Sequence, residues 1–310
     1  MRVIVLGSGA GGGFPQWNCN CSNCKSFRSG TIRATARTQS SIALSADGNR
    51  WYLFNASPDI RQQINASPDL APRTEPRDTP IQAILLTNGE IDHIAGLLSV
   101  RESQPLCLYS TGQVQQWVLE TNSVFRGLFR VPAQSLWKIV STTERQEQQE
   151  IVGIDGKSSG LLYEAFIVPG KPPAYLTGLV TEWNEATIGY KIIDAASERS
   201  LVYLPAIKHI DSVVMTMLES CDCFFFDGTC WSDDELVRVG LSQKTSLSMG
   251  HAPISGPDGS LVQLASLPHA RKIYTHLNNT NPLLIEDSPE QQIVAEAGWE
   301  VAFDGMEFEV

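Results

Sequence analysis

The chain has 310 residues, 42% of them apolar and 18% charged, enough for one large α/β domain or two small ones with a sizeable core. Its formal net charge of −11 argues against non-specific nucleic-acid binding, which depends on cationic contacts to phosphate. No apolar run approaches the roughly 20 residues that span a bilayer, and the opening Met1-Arg2-Val3-Ile4-Val5-Leu6 lacks the features of a signal peptide, so a cytoplasmic protein without membrane contacts is expected.

Residues 1–7 read as a strand running into Gly7-Ser8-Gly9-Ala10-Gly11-Gly12. This loop formally matches a dinucleotide fingerprint, but Pro15 and a cysteine cluster follow it instead of a helix, and no acid lies about 20 residues on to take a ribose. A tight loop whose backbone approaches a neighbouring site explains the glycines. The cluster Cys19-Asn20-Cys21-Ser22-Asn23-Cys24 sits in a Gly- and Asn-rich loop beside Phe14 and Trp17, which read as loop packing. In a reducing compartment clustered thiols suggest metal rather than disulfides. Thiolates at this density repel one another unless a soft cation such as Zn2+ neutralises them, so a cysteine-rich structural zinc loop at about residues 14–30 is expected, with a fourth ligand from elsewhere. Cys107, Cys221, Cys223 and Cys230 are scattered among apolar segments and read as core filling. No acid precedes Asp47, while Arg2, Lys25, Arg28, Arg33 and Arg37 all do. A solvated basic surface is the simpler reading; the sharper one is an arginine that binds an anionic substrate through its carboxylate.

Residues 41–46 and 50–55 form a hairpin pattern across Asp47-Gly48-Asn49. Ser57-Pro58-Asp59 supplies an N-cap and a proline at the first position of a helix over 60–66. Residues 81–86 read as a buried strand that runs into Thr87-Asn88-Gly89-Glu90-Ile91-Asp92-His93, and a helix follows to about Arg101. A strand that ends in clustered carboxylate, imidazole and amide groups at a helix start is built to hold something charged. Beyond it come a short strand near Leu106, a helix around 114–119, and strands over 161–168, 187–193 and 200–204. Strands over 223–227 and 272–275 follow, the latter ending at His276, and residues 299–303 and 307–310 read as a closing hairpin across Asp304-Gly305. Helices interleaved with separate and hairpin strands suit two sheets with helices outside, and the hairpins weigh against a doubly wound sheet.

The segment 87–93 resembles the metal-binding signature Thr-His-X-His-X-Asp-His of the metallo-β-lactamase superfamily. Asn88 and Glu90 stand where that signature has its first two histidines, and Asp92 and His93 remain. Leu53-Phe54-Asn55-Ala56-Ser57-Pro58-Asp59, Met249-Gly250-His251 and Tyr274-Thr275-His276 are similar to its other conserved segments. Two further ligands of the signature are missing: Gly170 and Lys171 stand in place of a histidine, and Pro205 in place of a bridging aspartate. Together with Phe14-Pro15-Gln16-Trp17-Asn18-Cys19-Asn20-Cys21 and Thr275-His276-Leu277-Asn278-Asn279-Thr280-Asn281-Pro282, these features resemble the coenzyme PQQ synthesis protein B family over essentially the whole length.

The resemblance implies a metallo-β-lactamase-like four-layer αββα sandwich, one domain over residues 1–310, in a cytoplasmic enzyme of pyrroloquinoline quinone biosynthesis. It further implies hydroxylation, dependent on Fe(II) and O2, of the tyrosine ring of a peptide-derived glutamate–tyrosine precursor, with other proteins of that pathway as partners. Losing so many imidazoles makes a dinuclear site improbable, and a mixed carboxylate and imidazole set with open positions suits one non-haem iron. The implied metal ligands are Glu90, Asp92, His93 and His276. His251 is a further ligand or an acid–base group, and Asn88 orients a ligand or the substrate. With those histidines assigned, and His209 read as a surface residue before a helix cap, His269 is left by elimination as fourth zinc ligand. A distant member with the same cysteine spacing, the phosphonate-pathway phosphodiesterase, takes its fourth ligand three residues after the last strand's histidine. Asn279 occupies that position here, so that carry-over fails. Two competing functions are a residual single-metal hydrolase that works without oxygen, and a non-catalytic carrier for the quinone or its precursor. A homodimer is compatible with the sequence, which is silent on oligomeric state.

Overall fold

Most of the inner strands alternate at period two yet bury apolar residues on both faces, and that sets the layering. The computed structural model describes residues 1–102, 104–121, 123–129, 135–142, 148–267 and 269–310. Its first sheet contains β1 (Arg2–Gly7), β2 (Ser41–Ser45), β3 (Trp51–Phe54), β4 (Ile81–Leu85), β5 (Leu106–Ser110) and β6 (Ser135–Ile139). The second contains β7 (Gln149–Val152), β8 (Ser158–Ile167), β9 (Ile188–Asp194), β10 (Ser200–Leu204), β11 (Cys223–Asp227), β12 (Arg271–Thr275) and β13 (Trp299–Val301). β14 (Glu307–Glu309) returns to the first sheet, whose order is β14-β1-β2-β3-β4-β5-β6, facing β13-β12-β11-β10-β9-β8-β7.

Ile42, Leu44, Tyr52 and Phe54 from the first sheet meet Tyr163, Tyr190, Tyr203 and Phe225 from the second in one central core. The opposite faces are buried too. Trp51, Leu53 and Ile84 pack under helical segments outside the first sheet, and Phe224, Phe226 and Tyr274 do so outside the second. Three apolar layers between four structural ones give the αββα sandwich expected from the sequence. β3, β4 and β5 run parallel, as do β10, β11 and β12, so each sheet gathers successive strand ends on one edge. The functional side chains come from these ends.

Several local expectations are revised. Residues 299–303 and 307–310 do not form a hairpin: β13 pairs with β12, β14 pairs with β1, and the turn between them crosses from one sheet to the other. Asp304 holds that crossing, because its carboxylate accepts bonds from Ser8 and from both Thr38 N–H and hydroxyl. The cysteine loop is partly helical, since Cys21 caps the helix Ser22–Arg28 and Cys24 lies inside it. Asp59, rather than Ser57, caps the helix Ile60–Ala66, and the Ser57 hydroxyl instead accepts the Asp59 N–H at 3.2 Å.

The helix after His93 changes character at Ile94 and continues as a 3-10 segment, Ala95–Val100. There the His93 carbonyl is taken by Ala56 N–H at 2.7 Å, and Gly96 approaches so closely that a Cβ would stand 2.0 Å from the Ser57 carbonyl oxygen. Sequence reading missed β6, β7 and the helix Pro289–Glu296. The glycine loop enters no helix. Gly9 instead bridges to Gln39 and Leu277, which stitches β1 to the loop beyond β12.

Candidate metal centres

A cavity of about 260 Å³ opens where the strand ends meet, and Asn88, Glu90, Asp92, His93, His251 and His276 all line it. The loop after β4 supplies the first four, and β12 delivers His276 in the left-handed region at φ 61°. A β-carbon makes that conformation costly outside glycine and asparagine, so the surrounding bonds must hold it. Leu277 N–H to Ser8 O at 2.9 Å and Ala10 N–H to Leu277 O at 2.8 Å do so. The glycine loop thereby becomes a wall of the cavity, and a Cβ on Gly11 would stand 3.4 Å from Asp92 Oδ2.

Hydrogen bonding fixes the imidazole tautomers. Asn88 Oδ1 accepts the Glu90 backbone N–H at 3.0 Å, which orients the amide, and the same oxygen lies 2.8 Å from His93 Nδ1. The His93 proton is therefore on Nδ1, and Nε2 is buried with no hydrogen-bond partner. Across the cavity the Thr229 hydroxyl donates to Asp227 Oδ1 at 2.6 Å and so accepts from His276 Nδ1 at 2.8 Å. His276 Nε2 is left as a lone pair 3.1 Å from Asp92 Oδ2. Two lone pairs then face each other, an arrangement that a proton or a cation between them relieves. His251 Nδ1 pairs with Asp227 Oδ2 at 2.7 Å, and its ring stacks on His276 at 5.2 Å between centroids.

The electrostatics agree. Burial opposes ionisation of Asp92, but His93, His276 and His251 outweigh it and hold the carboxyl far below its usual range. Burial presses His93 down to about 4, so it is a neutral imidazole near pH 7. Burial would depress His251 as well, yet Asp227 keeps it above its ordinary value. Glu90 is raised by burial and then by Asp92. Asp92, His93 and His276 have ligand atoms within 4.8 Å of one another, as do Asp227, His251 and His276. Either trio is compact enough for one divalent ion, and Glu90 belongs to neither. Imidazoles tied down through Nδ1 and free at Nε2, beside a carboxylate, are the donor set of a metal site with its outer bonds in place.

The second centre is Cys19, Cys21 and Cys24, also within 4.8 Å of one another. Burial resists ionisation of Cys19 and Cys21. Cys21 is pushed up to about 11, whereas N–H and thiol neighbours and the Asn279 amide bring Cys19 below its ordinary value. His269, expected here, is exposed and does not join the trio. Asn279 stands in its place, with Nδ2 at 3.1, 3.5 and 3.4 Å from Cys19, Cys21 and Cys24 Sγ. The elimination failed because it considered only histidines. Trp17 is 86% exposed rather than packed, while Phe14 is buried against Phe27 at 5.0 Å.

Asp227 and Thr229 were missed, although the signal existed: an apolar strand, Cys-Phe-Phe-Phe-Asp, ends in a carboxylate as β4 does. Pro205 leaves the end of β10 without an acid, and Asp227 arrives from the next strand, accepting Ile207 N–H at 3.0 Å. The early arginines do not reach the cavity. Arg2 pairs with Asp69, Arg33 with Glu286 and Asp287, Arg28 bonds backbone carbonyls, and Arg37 is buried on Ser8 and Ala302. No helix among the described residues is long and apolar enough to cross a membrane.

Comparison with known proteins agrees with this architecture. A model of the β-lactamase superfamily domain matches residues 50–277. Coenzyme PQQ synthesis protein B of Bradyrhizobium diazoefficiens is 41% identical over 312 residues, and that of Methylobacterium nodulans 45%, each covering 99% of both chains. Among solved structures, Zn(2+)-bound PqqB from Methylobacterium extorquens superposes with a TM-score of 0.91 at 41% identity over all of both chains. A diphosphatase of the PhnP family, at 21% identity and a TM-score of 0.67 over 100% of this chain and 98% of its own, shares the fold. The chain belongs to the β-lactamase superfamily and, within it, to the coenzyme PQQ synthesis protein B family.

Proposed function

We propose that the chain serves pyrroloquinoline quinone synthesis as a mononuclear metal enzyme that hydroxylates the tyrosine ring of a glutamate–tyrosine precursor with O2, its metal being Fe(II) held by Asp92, His93 and His276. The observation that carries this reading is His93 Nε2, a buried nitrogen without a partner whose other nitrogen is held by Asn88. Iron bound there supplies the redox chemistry towards O2 that the side chains themselves lack. Asn88 and Thr229 keep His93 and His276 in the tautomers that present Nε2 to the cavity. Asp227 favours the protonated form of His251 beside the cavity, which suits it to exchange a proton with the substrate. Glu90, raised by burial and by Asp92, suits proton exchange with a phenol, or joins the ligands if it moves inward.

A structural zinc in the cysteine trio is part of the same proposal. Turning the Asn279 amide about its axis presents Oδ1 to that ion as the fourth ligand, because amide oxygen and nitrogen occupy interchangeable positions. The zinc of the Methylobacterium extorquens structure is compatible with either centre.

Anaerobic reconstitution with Fe(II), followed by exposure of the glutamate–tyrosine dipeptide to O2 and mass analysis, tests the reading. A gain of two oxygen atoms, which accounts for all of O2, is expected without added reductant. A gain of one is expected where a two-electron donor such as ascorbate is present to carry the second oxygen atom to water. His93→Ala should lose both the gain and one metal equivalent. An unchanged mass with iron well bound would sink it and favour a carrier. Cleavage that persists without O2 would favour the hydrolase.

A further inference from the structure

The cavity carries charge that the metal trio does not use. Lys171 and Lys244 both line it, and among the described residues neither ammonium group has a hydrogen bond or an ion pair. Lys171 is held in place by shape. Its stem lies along the α-carbon of Gly250, where a Cβ would meet Lys171 Cγ, Cε and Cδ at 3.2, 3.3 and 3.4 Å. Gly250 also ends the helix Ser246–Met249 in the left-handed region at φ 94°, so the residue before His251 must be small for two reasons. Lys171 comes near enough for its charge to act on Glu90 and His251, yet it forms no ion pair with Glu90.

Neither ammonium group forms an ion pair with Asp92 or Glu90, so neither lysine is spent on the cavity's own carboxylates. The early arginines, candidates for an anionic substrate, are engaged elsewhere. In a chain of net charge −11, an entering anion is repelled by the whole and drawn only by local cations.

We propose that Lys171 and Lys244 form the carboxylate-binding wall of this cavity, taking the carboxylates of a small amino-acid-derived substrate and turning its aromatic end towards Asp92, His93 and His276. The inference rests on the proposed substrate class and adds the groups that recognise it. Ammonium–carboxylate bonds are strong when partly desolvated, and flexible lysines adapt to two carboxylates better than one rigid fork does.

Calorimetric titration of the Fe(II)-loaded protein under anaerobic conditions tests it, with L-glutamyl-L-tyrosine and its analogue in which both carboxylates are carboxamides. Lys171→Met and Lys244→Met should each weaken dipeptide binding by at least about tenfold. The carboxamide should bind the wild type and both variants alike, and Lys171→Arg should recover most of the loss. Unchanged melting temperatures exclude misfolding as the cause. Dipeptide binding that is undiminished in both Met variants overturns the lysine wall and leaves the oxygenase reading standing. Lysine-dependent binding without any gain of oxygen overturns the oxygenase and leaves the wall. If the wild type fails to bind the dipeptide, both fall.

Discussion

The cysteine trio draws its thiols from one six-residue stretch and is closed by Asn279, whereas Asp92 and His276, which meet across the cavity, stand 184 residues apart. The first centre is built like a staple: its thiols are local in sequence and largely buried, and the Asn279 amide lies against all three. The second is assembled from strand ends and opens onto a cavity, and its outer bonds from Asn88, Thr229 and Asp227 do the positioning. The contrast is between a cluster closed on itself by the protein and one that presents free lone pairs to a cavity. The two are nonetheless neighbours, because His276 and Asn279 sit three positions apart in one loop.

The largest effect should come from breaking the staple. Cys24→Ser is expected to lower the melting temperature by more than about 10 °C and to lose the tightly held zinc, since a structural ion contributes directly to folding. The same variant should weaken metal binding in the cavity through the shared loop. Retained cavity affinity at a depressed melting temperature would show that the centres are independent. Next in size is Asn88→Ala, which frees the His93 tautomer and should cost about 10- to 100-fold in cavity metal affinity while leaving the cysteine-bound ion and the melting temperature nearly unchanged. Equilibrium dialysis against Fe(II) and a thermal melt read the two parts separately. The smallest is Arg33→Ala. Its pairs with Glu286 and Asp287 are exposed, and its removal should shift the melting temperature by no more than about 2 °C, measured by calorimetry. A larger shift would mean that the loop around the cysteines depends on surface charge as well as on metal.

The layering and most strands were legible because apolar runs end at polar clusters, and those ends are where chemistry collects. β6 and β7 escaped because their patterns are half exposed and weak. The closing turn was misread because Asp304-Gly305 carries ordinary hairpin chemistry. Its partners Ser8 and Thr38, which pull the strands into different sheets, are far away in sequence. In the cavity, the segment 87–93 declared itself as one cluster. Asp227 did not, for a lone carboxylate at a strand end acquires meaning only when β11 lies beside β12. Asn279 stood at the position of the distant member's ligand and was set aside, because an amide is seldom counted among metal ligands; its contact with all three thiols is visible only in the fold.

The crossing at Asp304 bears on how the molecule assembles. β1 lies between β2 and β14, and the Ser8–Asp304 bond spans 296 residues. Contacts of such sequence separation close late, because a long loop must be organised before they reward it. The glycine loop that walls the cavity hangs on those contacts, through Ser8 and Thr38. The thiols of the cysteine staple come from one stretch, but Asn279 closes it across 260 residues. The wall beside Asp92 likewise needs the strands at both ends of the sequence. The central core draws on both chain ends as well, through Val3, Val5 and Met306, so the sandwich and the cavity wall are completed by the same closing of the first sheet.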